Sequence, residues 1–573
     1  MPDGPLIVQS DKTVLLEVDH PGSTEARQAL ASFAELERAP EHVHTYRITN
    51  LGLWNARAAG VDAERVLDVL LTHSRYPVPH ALLVDIADTM SRYGRLRLEN
   101  DPVHGLVMRT EDHPVLEEVL HAKKTANMFG PRVDGRTVVV HAASRGQLKQ
   151  ALLKLGWPAE DAAGYVDGAP YPIGLTEVPP TGELPDAGPE AGAETGGEAD
   201  PPAEPWQLRP YQRMAVENFW AGGSGVVVLP CGAGKTLVGA GAMATAGATT
   251  LILVTNTVSA RQWKDELLRR TTLTEAEIGE YSGAVKEVRP VTIATYQVLT
   301  LKRGGIYPHL ELVNEHDWGL IIYDEVHLLP APIFRMTADL QARRRLGLTA
   351  TLVREDGRED EVFSLIGPKR YDAPWKDIEA QGYIAPAECV EVRVELPRDE
   401  RVAYAMADEA DRYRLCSTSE VKQPVVRSIV ERHPGEQVLV IGQYLDQLEE
   451  LGELLDAPVL TGSTPVAERQ RLFGAFRDGA LDVLVVSKVA NFSIDLPEAS
   501  VAVQVSGSYG SRQEEAQRLG RLLRPKGDGK SAHFYTLVSR DTLDQEYAQR
   551  RQRFLAEQGY AYTIVDAADL SRS

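Results

Sequence analysis

From Trp206 onward the chain repeats one pattern, in which a short run of Val, Ile and Leu precedes a longer stretch of helical character. Continuous apolar runs are typical of strands in parallel sheets, because helices cover both faces of such sheets. Two series occur: GVVVL (225–229), TLILV (250–254), VTIAT (291–295), LIIYD (320–324) and RLGLTA (345–350), then QVLVIG (437–442), DVLVVS (482–487), VAVQVS (501–506) and FYTLV (534–538). The pattern predicts an α/β protein with two tandem lobes and a cleft between them that can clamp a ligand.

A segment with almost no large apolar side chains divides the chain at 177–205. Pro, Gly, Ala and Glu dominate it, so it cannot bury enough surface to offset its ordering entropy. We interpret it as an acidic flexible linker. The region before it mixes short strands with amphipathic helices, and we expect a mixed α+β accessory domain that docks DNA or a partner. The predicted domains are 1–176, the linker 177–205, the first lobe 206–373, the second lobe 374–550 and a C-terminal tail 551–573.

The net charge of the 573 residues is -21, which argues against a static, high-affinity DNA binder. Eight acidic residues and no Lys or Arg lie in 177–205, so the linker alone contributes -8. A motor that cycles on nucleic acid needs only a locally positive track, and this class stays open. The three cysteines, Cys231, Cys389 and Cys416, form no CxxC pair and suggest neither zinc nor a disulfide framework. Without a signal peptide or a membrane-spanning apolar stretch, we expect a cytoplasmic protein.

A glycine-containing loop lies between the first apolar run and a helix-forming stretch. Glycines allow backbone amides to close around phosphate oxygens, and the helix N-terminus adds positive potential. In this setting Lys235 would reach the β- and γ-phosphates of ATP, and the Thr236 hydroxyl would hold Mg²⁺. The strict motif has Gly where this chain has Leu229, so a chance glycine turn stays open at this point. The loop comprises Leu229, Pro230, Cys231, Gly232, Ala233, Gly234, Lys235 and Thr236.

Two carboxylates follow the apolar run LIIYD. Asp324 and Glu325 stand about ninety residues after Lys235, at a strand end that is expected beside the phosphate loop. Asp324 would hold the Mg²⁺ shell, and Glu325 would activate the attacking water. Taken alone, DEVH is only a strand end followed by acids, but its position relative to the loop favours the catalytic interpretation.

The stretch QRLGRLLR (517–524) places Gln517, Arg521 and Arg524 on one helix face. Planar guanidinium groups aimed across a cleft suit the charge that develops on a transferring phosphate. A basic solvated helix face is the simpler alternative. If Arg521 comes from the second lobe and Lys235 from the first, hydrolysis requires lobe closure, and ATP could thereby drive motion.

At these motifs the chain resembles the XPB family of superfamily 2 DNA helicases, in its bacterial branch. In that family Leu also replaces the first glycine of the phosphate loop. The resemblance implies two RecA-like lobes, ATP and Mg²⁺ as cofactors, and 3′-to-5′ movement on DNA, with nuclease or repair partners. The matching segments are LRPYQ (208–212), LPCGAGKT (229–236), TNTVSARQWKDEL (255–267), IATYQVLT (293–300), YDEVHLLPAPIFR (323–335), RRRLGLTATLVREDGRED (343–360), SKVANFSIDLPEA (487–499) and YGSRQEEAQRLGRLLRPK (509–526). The N-terminal region is also similar to that of the bacterial XPB branch, with less diagnostic motifs.

The resemblance assigns further roles to individual residues. Gln212, with Arg209 nearby, matches the motif that recognises adenine. Thr349, Ala350 and Thr351 match the motif that couples hydrolysis to DNA movement. The remaining matches are Arg354, Glu355 and Asp356 of the RED element, implicated in strand opening, Asp495 of the motif that senses nucleotide and DNA together, and Arg521 and Arg524 of the arginine-finger motif.

One departure and one insertion concern the second lobe. Family members often read SKVGDxSID where this chain has Ala490, Asn491 and Phe492, which puts the detailed coupling in doubt but leaves the fold unaffected. The family carries a thumb-like insertion in this lobe. The charged stretch 398–418 is the candidate for it by order and length.

Contacts to DNA are expected from hydroxyls, backbone amides and scattered Arg and Lys, which grip phosphates without reading sequence. The run 343–345 either joins this track or forms a solvated loop face. Nothing in the sequence indicates base-specific reading. The residues on motifs expected to line the track are Thr255, Asn256, Arg261, Thr295, Tyr296 and Lys488.

The leading hypothesis is an ATP-dependent 3′-5′ DNA helicase that acts as a monomer on single strands and duplex junctions, in DNA repair. The same ATPase could instead be a double-strand DNA translocase that opens duplex without processive unwinding, and the motifs do not separate the two. A motor subunit of a restriction enzyme would need a nuclease centre from a partner, and the fold alone allows an RNA helicase. A scaffold with a vestigial nucleotide site is opposed by the intact set Lys235, Thr236, Asp324, Glu325, Arg521 and Arg524.

Overall fold

The computed structural model describes residues 4–39, 42–177, 206–230, 232–303, 307–310, 316–341, 343–350, 359–373, 375–487, 499–507, 531–557, 560 and 562–570. Most of the predicted linker, 178–205, lies outside these residues. No helix within them is long and apolar enough to cross a membrane. The described residues form two compact units: one within 164–227 and 234–348, the other within 1–163, 228–233 and 349–573.

The N-terminal region begins with an antiparallel sheet in the strand order β1-β2-β4-β3. Its strands are β1 (Leu6–Val8), β2 (Thr13–Glu17), β3 (Ala34–Arg38) and β4 (Val43–Ile48). Alternate residues of β4 are buried, as expected of a sheet with one face on a core. Four helices complete that core with Leu, Val and Ile side chains: α1 (Ser23–Leu30), α2 (Asn50–Ala58), α3 (Ala63–His73) and α4 (His80–Arg92).

A second sheet of the N-terminal region has the strand order β7-β8-β6-β5-β9. Its elements are β5 (Leu96–Asp101), β6 (Gly105–Arg109), α5 (His113–His121), β7 (Phe129–Arg132), β8 (Thr137–Val140), α6 (Arg145–Lys154) and β9 (Ala159–Asp161). Asp161 joins β9 to α6, because its carboxylate lies 2.7 Å from Arg145 and 2.9 Å from Lys149. Burial raises the pKa of Asp161, but the two cations outweigh burial and hold that pKa well below its usual range.

The first lobe contains a sheet in the order β12-β13-β11-β14-β15-β10, and β12, β13, β11, β14 and β15 pair in parallel. All five residues of β11 and of β13 are buried, which explains their continuous apolar sequence. The strands are β10 (Gly225–Val228), β11 (Thr250–Val254), β12 (Ile278–Tyr281), β13 (Val291–Thr295), β14 (Leu320–Asp324) and β15 (Arg344–Thr349), and the helices are α7 (Pro210–Gly222), α8 (Lys235–Ala246), α9 (Thr257–Arg270), α10 (Tyr296–Leu299) and α11 (Ala331–Asp339).

Residues 164–176 belong to the unit of the first lobe, although the sequence predicted them to be part of the N-terminal region. Their backbone runs along this lobe: Tyr171 N donates to the Gly247 carbonyl at 2.8 Å, and Thr176 N donates to the Arg270 carbonyl at 3.0 Å. The segment before the acidic linker is therefore fastened to the lobe that follows the linker.

The basic run 343–345 contributes to the first lobe's structure. Arg345 lies in β15 and is fully buried, with its guanidinium donating to the backbone carbonyl of Gln341 at 2.8 Å. The Arg344 guanidinium lies 4.1 Å from the centre of the Trp220 ring. Arg345 is thus neither a track residue nor part of a solvated loop face, because backbone carbonyls satisfy its charge inside the lobe.

The second lobe contains a parallel sheet in the order β19-β20-β18-β21-β22-β17-β23. Its strands are β17 (Ala387–Val394), β18 (Val438–Gly442), β19 (Val459–Leu460), β20 (Val483–Ser487), β21 (Val501–Gln504), β22 (Ala532–Ser539) and β23 (Tyr562–Asp566). The strand β23 comes from the predicted C-terminal tail, and it pairs with β17. The two parallel sheets confirm the predicted α/β fold with two tandem lobes behind a mixed α+β region.

The remaining elements of this part of the chain are helical apart from one short strand. They are α12 (Glu359–Glu361), the π-helical turn Val362–Ile366, β16 (Lys369–Asp372), α13 (Trp375–Ala380), α14 (Arg398–Met406), α15 (Glu409–Ser417), α16 (Lys422–Arg432), α17 (Leu445–Leu455), α18 (Val466–Arg477), α19 (Leu543–Glu557) and α20 (Ala567–Leu570). The predicted thumb-like stretch, 398–418, forms α14 and α15.

Phe363 fastens the N-terminal region to the segment that leads into the second lobe. Its buried ring shares an apolar cluster with Trp54 and Leu153, and it meets the Tyr93 ring edge-on at 6.3 Å between centroids. The N-terminal region is therefore packed against the chain that follows the predicted RED element.

Phe363→Ala should loosen this attachment. Removing a buried Phe ring costs about 3 kcal/mol in lost burial and cavity formation. We expect faster hydrogen exchange at the amides of α2 and α6, with the amides of β11 unchanged as an internal control. Unchanged exchange in α2 and α6 would contradict the packing role of Phe363.

Candidate active site

Gly234 fixes the start of α8. The turn after β10 places Gly232 (φ 80°) and Gly234 (φ 77°) in the left-handed region, where a side chain is disfavoured. A Cβ on Gly234 would also lie 2.4 Å from Nε2 of Gln212. Helix α8 therefore begins at Lys235, and the backbone N–H groups of a first helical turn are suited to binding an anion.

The end of β14 brings Glu325 to Lys235. The Lys235 ammonium lies 3.2 Å from one carboxylate oxygen of Glu325, and Nδ1 of the buried His327 lies 3.5 Å from the other. Glu325 has a φ of 48°, a left-handed conformation that costs energy for a residue with a side chain. This conformation turns the chain directly after Asp324, so that two neighbouring carboxylates stand at the strand end.

Asp324 is half-buried at the end of β14, and its carboxylate is hydrogen-bonded on both oxygens. Trp263 Nε1 donates to Oδ2 at 2.9 Å, and the Glu325 amide donates to Oδ1 at 3.1 Å. Burial raises the pKa of Asp324 to about 6, assisted by the charge of Glu325 and opposed by Lys235 and by the Trp263 hydrogen bond. Sequence reasoning missed Trp263 as a site residue, although it lies within the segment TNTVSARQWKDEL that carried the resemblance.

Tyr296 is buried in the first lobe. Its hydroxyl donates to the backbone carbonyl of Asp324 at 2.7 Å, and burial raises the pKa of Tyr296 well above its ordinary value, so the hydroxyl keeps its proton. The buried Thr295 accepts from Val298 N and caps α10. Both residues were predicted to line a DNA track, and the structure places Tyr296 directly behind the carboxylates.

Three other predicted track residues lie at the start of α9. The Asn256 side chain accepts from Val258 N and Ser259 N, both at 2.9 Å, and caps the helix. Thr255 is half-buried and accepts from Asn256 Nδ2 at 3.1 Å, while Arg261 is exposed on the helix surface. The cap fixes the turn after β11, on which these side chains stand.

Gln212 is buried under the phosphate loop. Its side-chain oxygen accepts from Arg209 N at 2.9 Å, which caps α7, and its amide nitrogen lies next to Gly234. Of the predicted coupling motif, Thr349 and Ala350 are buried, and the Thr349 carbonyl accepts from Leu229 N at 3.0 Å.

Ten predicted site residues lie outside the described residues, and the structure does not place them. They are Cys231, Thr351, Arg354, Glu355, Asp356, Lys488, Asp495, Gln517, Arg521 and Arg524.

Comparison with known proteins gives three family models that match separate parts of the chain. The model described as ERCC3/RAD25/XPB C-terminal helicase matches residues 378–572. The model for the res subunit of type III restriction enzymes matches residues 205–354. A model described as helicase conserved C-terminal domain matches residues 6–134.

Other proteins match this chain over nearly its whole length. The protein of Kineococcus radiotolerans named DNA 3′-5′ helicase XPB is 71% identical over 570 residues, which cover 100% of this chain and 98% of that protein. The protein of the same name from Mycobacterium tuberculosis is 68% identical, with 100% and 99% covered. The yeast subunit named general transcription and DNA repair factor IIH helicase/translocase subunit XPB/SSL2 is 30% identical, with 98% and 72% covered.

Gly234→Ala tests the geometry of the loop, and Gly247→Ala is a matched control at the other end of α8. Both glycines have positive φ, but a Cβ at Gly247 would meet nothing within 4 Å. Each change costs about 1 kcal/mol in backbone strain. Only Gly234→Ala should also displace the loop or Gln212, weakening binding of an ATP analogue by more than about tenfold. Equal binding by the two variants would contradict the proposed loop geometry.

Proposed function

The chain belongs to the XPB family of DNA helicases, and on that premise we propose that it couples ATP hydrolysis to 3′-to-5′ movement along DNA and to duplex unwinding, in DNA repair. Membership of a helicase family entails use of ATP and binding of DNA.

The observation that carries the proposal is the environment of Glu325. Its two carboxylate oxygens lie 3.2 Å from Lys235 Nζ and 3.5 Å from His327 Nδ1. When ATP binds, its γ-phosphate competes for the Lys235 ammonium, and Glu325 loses its ion-pair partner. The freed carboxylate can then orient the attacking water and accept its proton.

The oxygen donors of Thr236 and Asp324 fit Mg²⁺, a hard cation that prefers hydroxyl and carboxylate oxygens. Burial raises the pKa of Asp324 to about 6, and a cation bound there would favour the carboxylate form again. When bound, the ion would neutralise charge on the phosphates. Gln212 and Arg209 would hold the adenine, because they stand beside the phosphate loop at the start of α7.

The second lobe would supply Gln517, Arg521 and Arg524 to the developing phosphate charge, with Asp495 as a sensor of nucleotide. Thr255, Asn256, Arg261, Thr295 and Lys488 would grip DNA phosphates. Thr349, Ala350 and Thr351 would couple ATP hydrolysis to movement along DNA. The RED element, Arg354, Glu355 and Asp356, would take part in the same coupling. Tyr296 suits coupling better than DNA contact, because it is buried against Asp324.

We propose that the N-terminal region is an accessory domain for DNA or partner docking, with a nuclease or repair protein as the partner. The cytoplasm as location and the monomeric state remain predictions from the sequence.

Strand displacement tests the function directly, on DNA duplexes with a 3′ tail, a 5′ tail or blunt ends, with ATP turnover recorded in the same tubes. We expect release from the 3′-tailed duplex only. Glu325→Gln is the matched control: it should bind ATP but hydrolyse it at least about a hundredfold more slowly, because it lacks the base. DNA-stimulated turnover without strand release would instead indicate a duplex translocase. Turnover that DNA does not stimulate would contradict the proposed function.

A further inference from the structure

Two surface turns of the first lobe meet at Tyr281, the last residue of β12. After β12 the chain turns back on itself, so that Glu287 N donates to the Glu280 carbonyl at 2.9 Å and Tyr281 pairs with Lys286 in an antiparallel bridge. The Tyr281 hydroxyl lies 2.9 Å from Nδ1 of His309, and the two rings meet edge-on at 5.7 Å between centroids. The turn after β12 and the turn at 307–309 are therefore fixed on the same side chain.

These turns bring cationic side chains together. The Lys286 ammonium lies 4.9 Å from the centre of the Tyr281 ring. Partial burial and the charge of Arg303 lower the pKa of Lys286, while burial and the charges of Lys286 and Arg303 lower the pKa of His309. The three side chains therefore stand close enough to repel one another. We call these three side chains and the adjacent Lys302 the basic cluster.

The basic cluster has no neutralising carboxylate. Its Lys and Arg members are exposed, and none of the residues that the structure describes places a carboxylate within 4.0 Å of them. Other cations of this lobe have such a partner: Arg343 lies 2.5 Å from Asp317, and Lys264 lies 3.5 Å from Glu275. Carboxylates are abundant in a chain with 82 acidic and 61 basic residues. A group of unpaired cations in such a chain is typical of a surface that binds a polyanion.

The basic cluster lies on the edge of the sheet that carries the predicted DNA track. Strand β12 is next to β13, and β13 is next to β11, all in parallel, so their carboxyl ends share one edge. Strand β11 leads into Thr255 and Asn256, β13 ends at Thr295, and β12 leads into the cluster. Because neighbouring strands lie about 4.8 Å apart, the cluster begins about 10 Å from the end of β11, beyond the end of β13. It therefore continues the track outward along this edge.

We propose that the basic cluster binds phosphate groups of DNA and extends the DNA track of the first lobe beyond β13. The inference rests on the proposed function, in which Thr255, Asn256 and Thr295 grip the same strand. Lys and Arg side chains on separate turns suit successive phosphates of a backbone, and they contact phosphates without reading bases. Each such contact releases counterions from the DNA, so it makes the affinity depend on salt concentration.

Lys286→Gln combined with Arg303→Gln removes two charges from the cluster. With fluorescent single-stranded DNA, the plot of log Kd against log salt concentration should become shallower by about 1.4, which is about 0.7 for each lost phosphate contact. Lys264→Gln combined with Arg269→Gln is the matched control, because it removes the same charge from α9 of the same lobe, where both cations pair with carboxylates. The control should keep the wild-type slope.

Lys286→Arg combined with Arg303→Lys keeps the charge and should keep the slope, which separates phosphate binding from support of the turns. All variants should bind an ATP analogue equally, because β12 lies at the other end of the sheet from β10 and the phosphate loop. A wild-type slope in the double Gln variant, an equal decrease in the control, or a decrease in the charge-preserving variant would overturn the role of the cluster. Wild-type protein that binds no DNA would instead refute the proposed function.

Discussion

The carboxylate of Asp324 is the group around which the first lobe's site is built. Strand β14 carries it into an apolar environment, where its charged form is disfavoured and its pKa rises to about 6. Above about pH 6 the charged carboxylate therefore lowers the free energy of unfolding by its full amount. As the pH falls towards the ordinary pKa of an aspartate, the carboxyl becomes protonated and this destabilisation disappears. Trp263 and Lys235 offset part of that cost. Carboxylates whose charged form is disfavoured by burial are enriched at functional sites, which fits the catalytic interpretation of Asp324.

The hydrogen bonds around Asp324 also reach the residues expected to handle DNA. Tyr296 binds the Asp324 carbonyl from α10, and Trp263 binds its side chain from α9. Helix α9 begins at the Asn256 cap, beside Thr255 and Arg261. Two elements of the predicted DNA track, α9 and α10, are therefore each linked to Asp324 by one hydrogen bond. A change in charge at the carboxylates can act on both of them.

Much of the fold was predictable because its strands are buried on both faces. Runs such as TLILV and VTIAT admit few other interpretations, and a glycine loop followed by Lys235 has a known physical use. The position of Asp324 and Glu325 beside the phosphate loop was predicted from the strand end that precedes them, whereas the ion pair between Lys235 and Glu325 was not.

The features of the structure that were not predicted from the sequence depend on tertiary contacts. Trp263 was missed, and Tyr296 was predicted only as a DNA-track residue, because a buried aromatic residue looks the same in sequence whether or not its polar atom serves a site. Arg345 resembled a surface residue, because only the folded lobe supplies the carbonyls that bury it. Strand β23 lies at the end of the chain and pairs with β17, more than 150 residues earlier, so local patterns did not reveal it.

The most direct test of this account is the pH dependence of kcat/KM for ATP hydrolysis in the wild type and in Trp263→Phe. Hydrolysis that needs the Asp324 carboxylate should fall as the pH drops through about 6. Trp263→Phe removes a hydrogen bond that lowers the pKa of Asp324, so its acid limb should move to higher pH while the plateau at high pH changes less. An acid limb that stays in place, or moves to lower pH, would contradict the central role of this carboxylate.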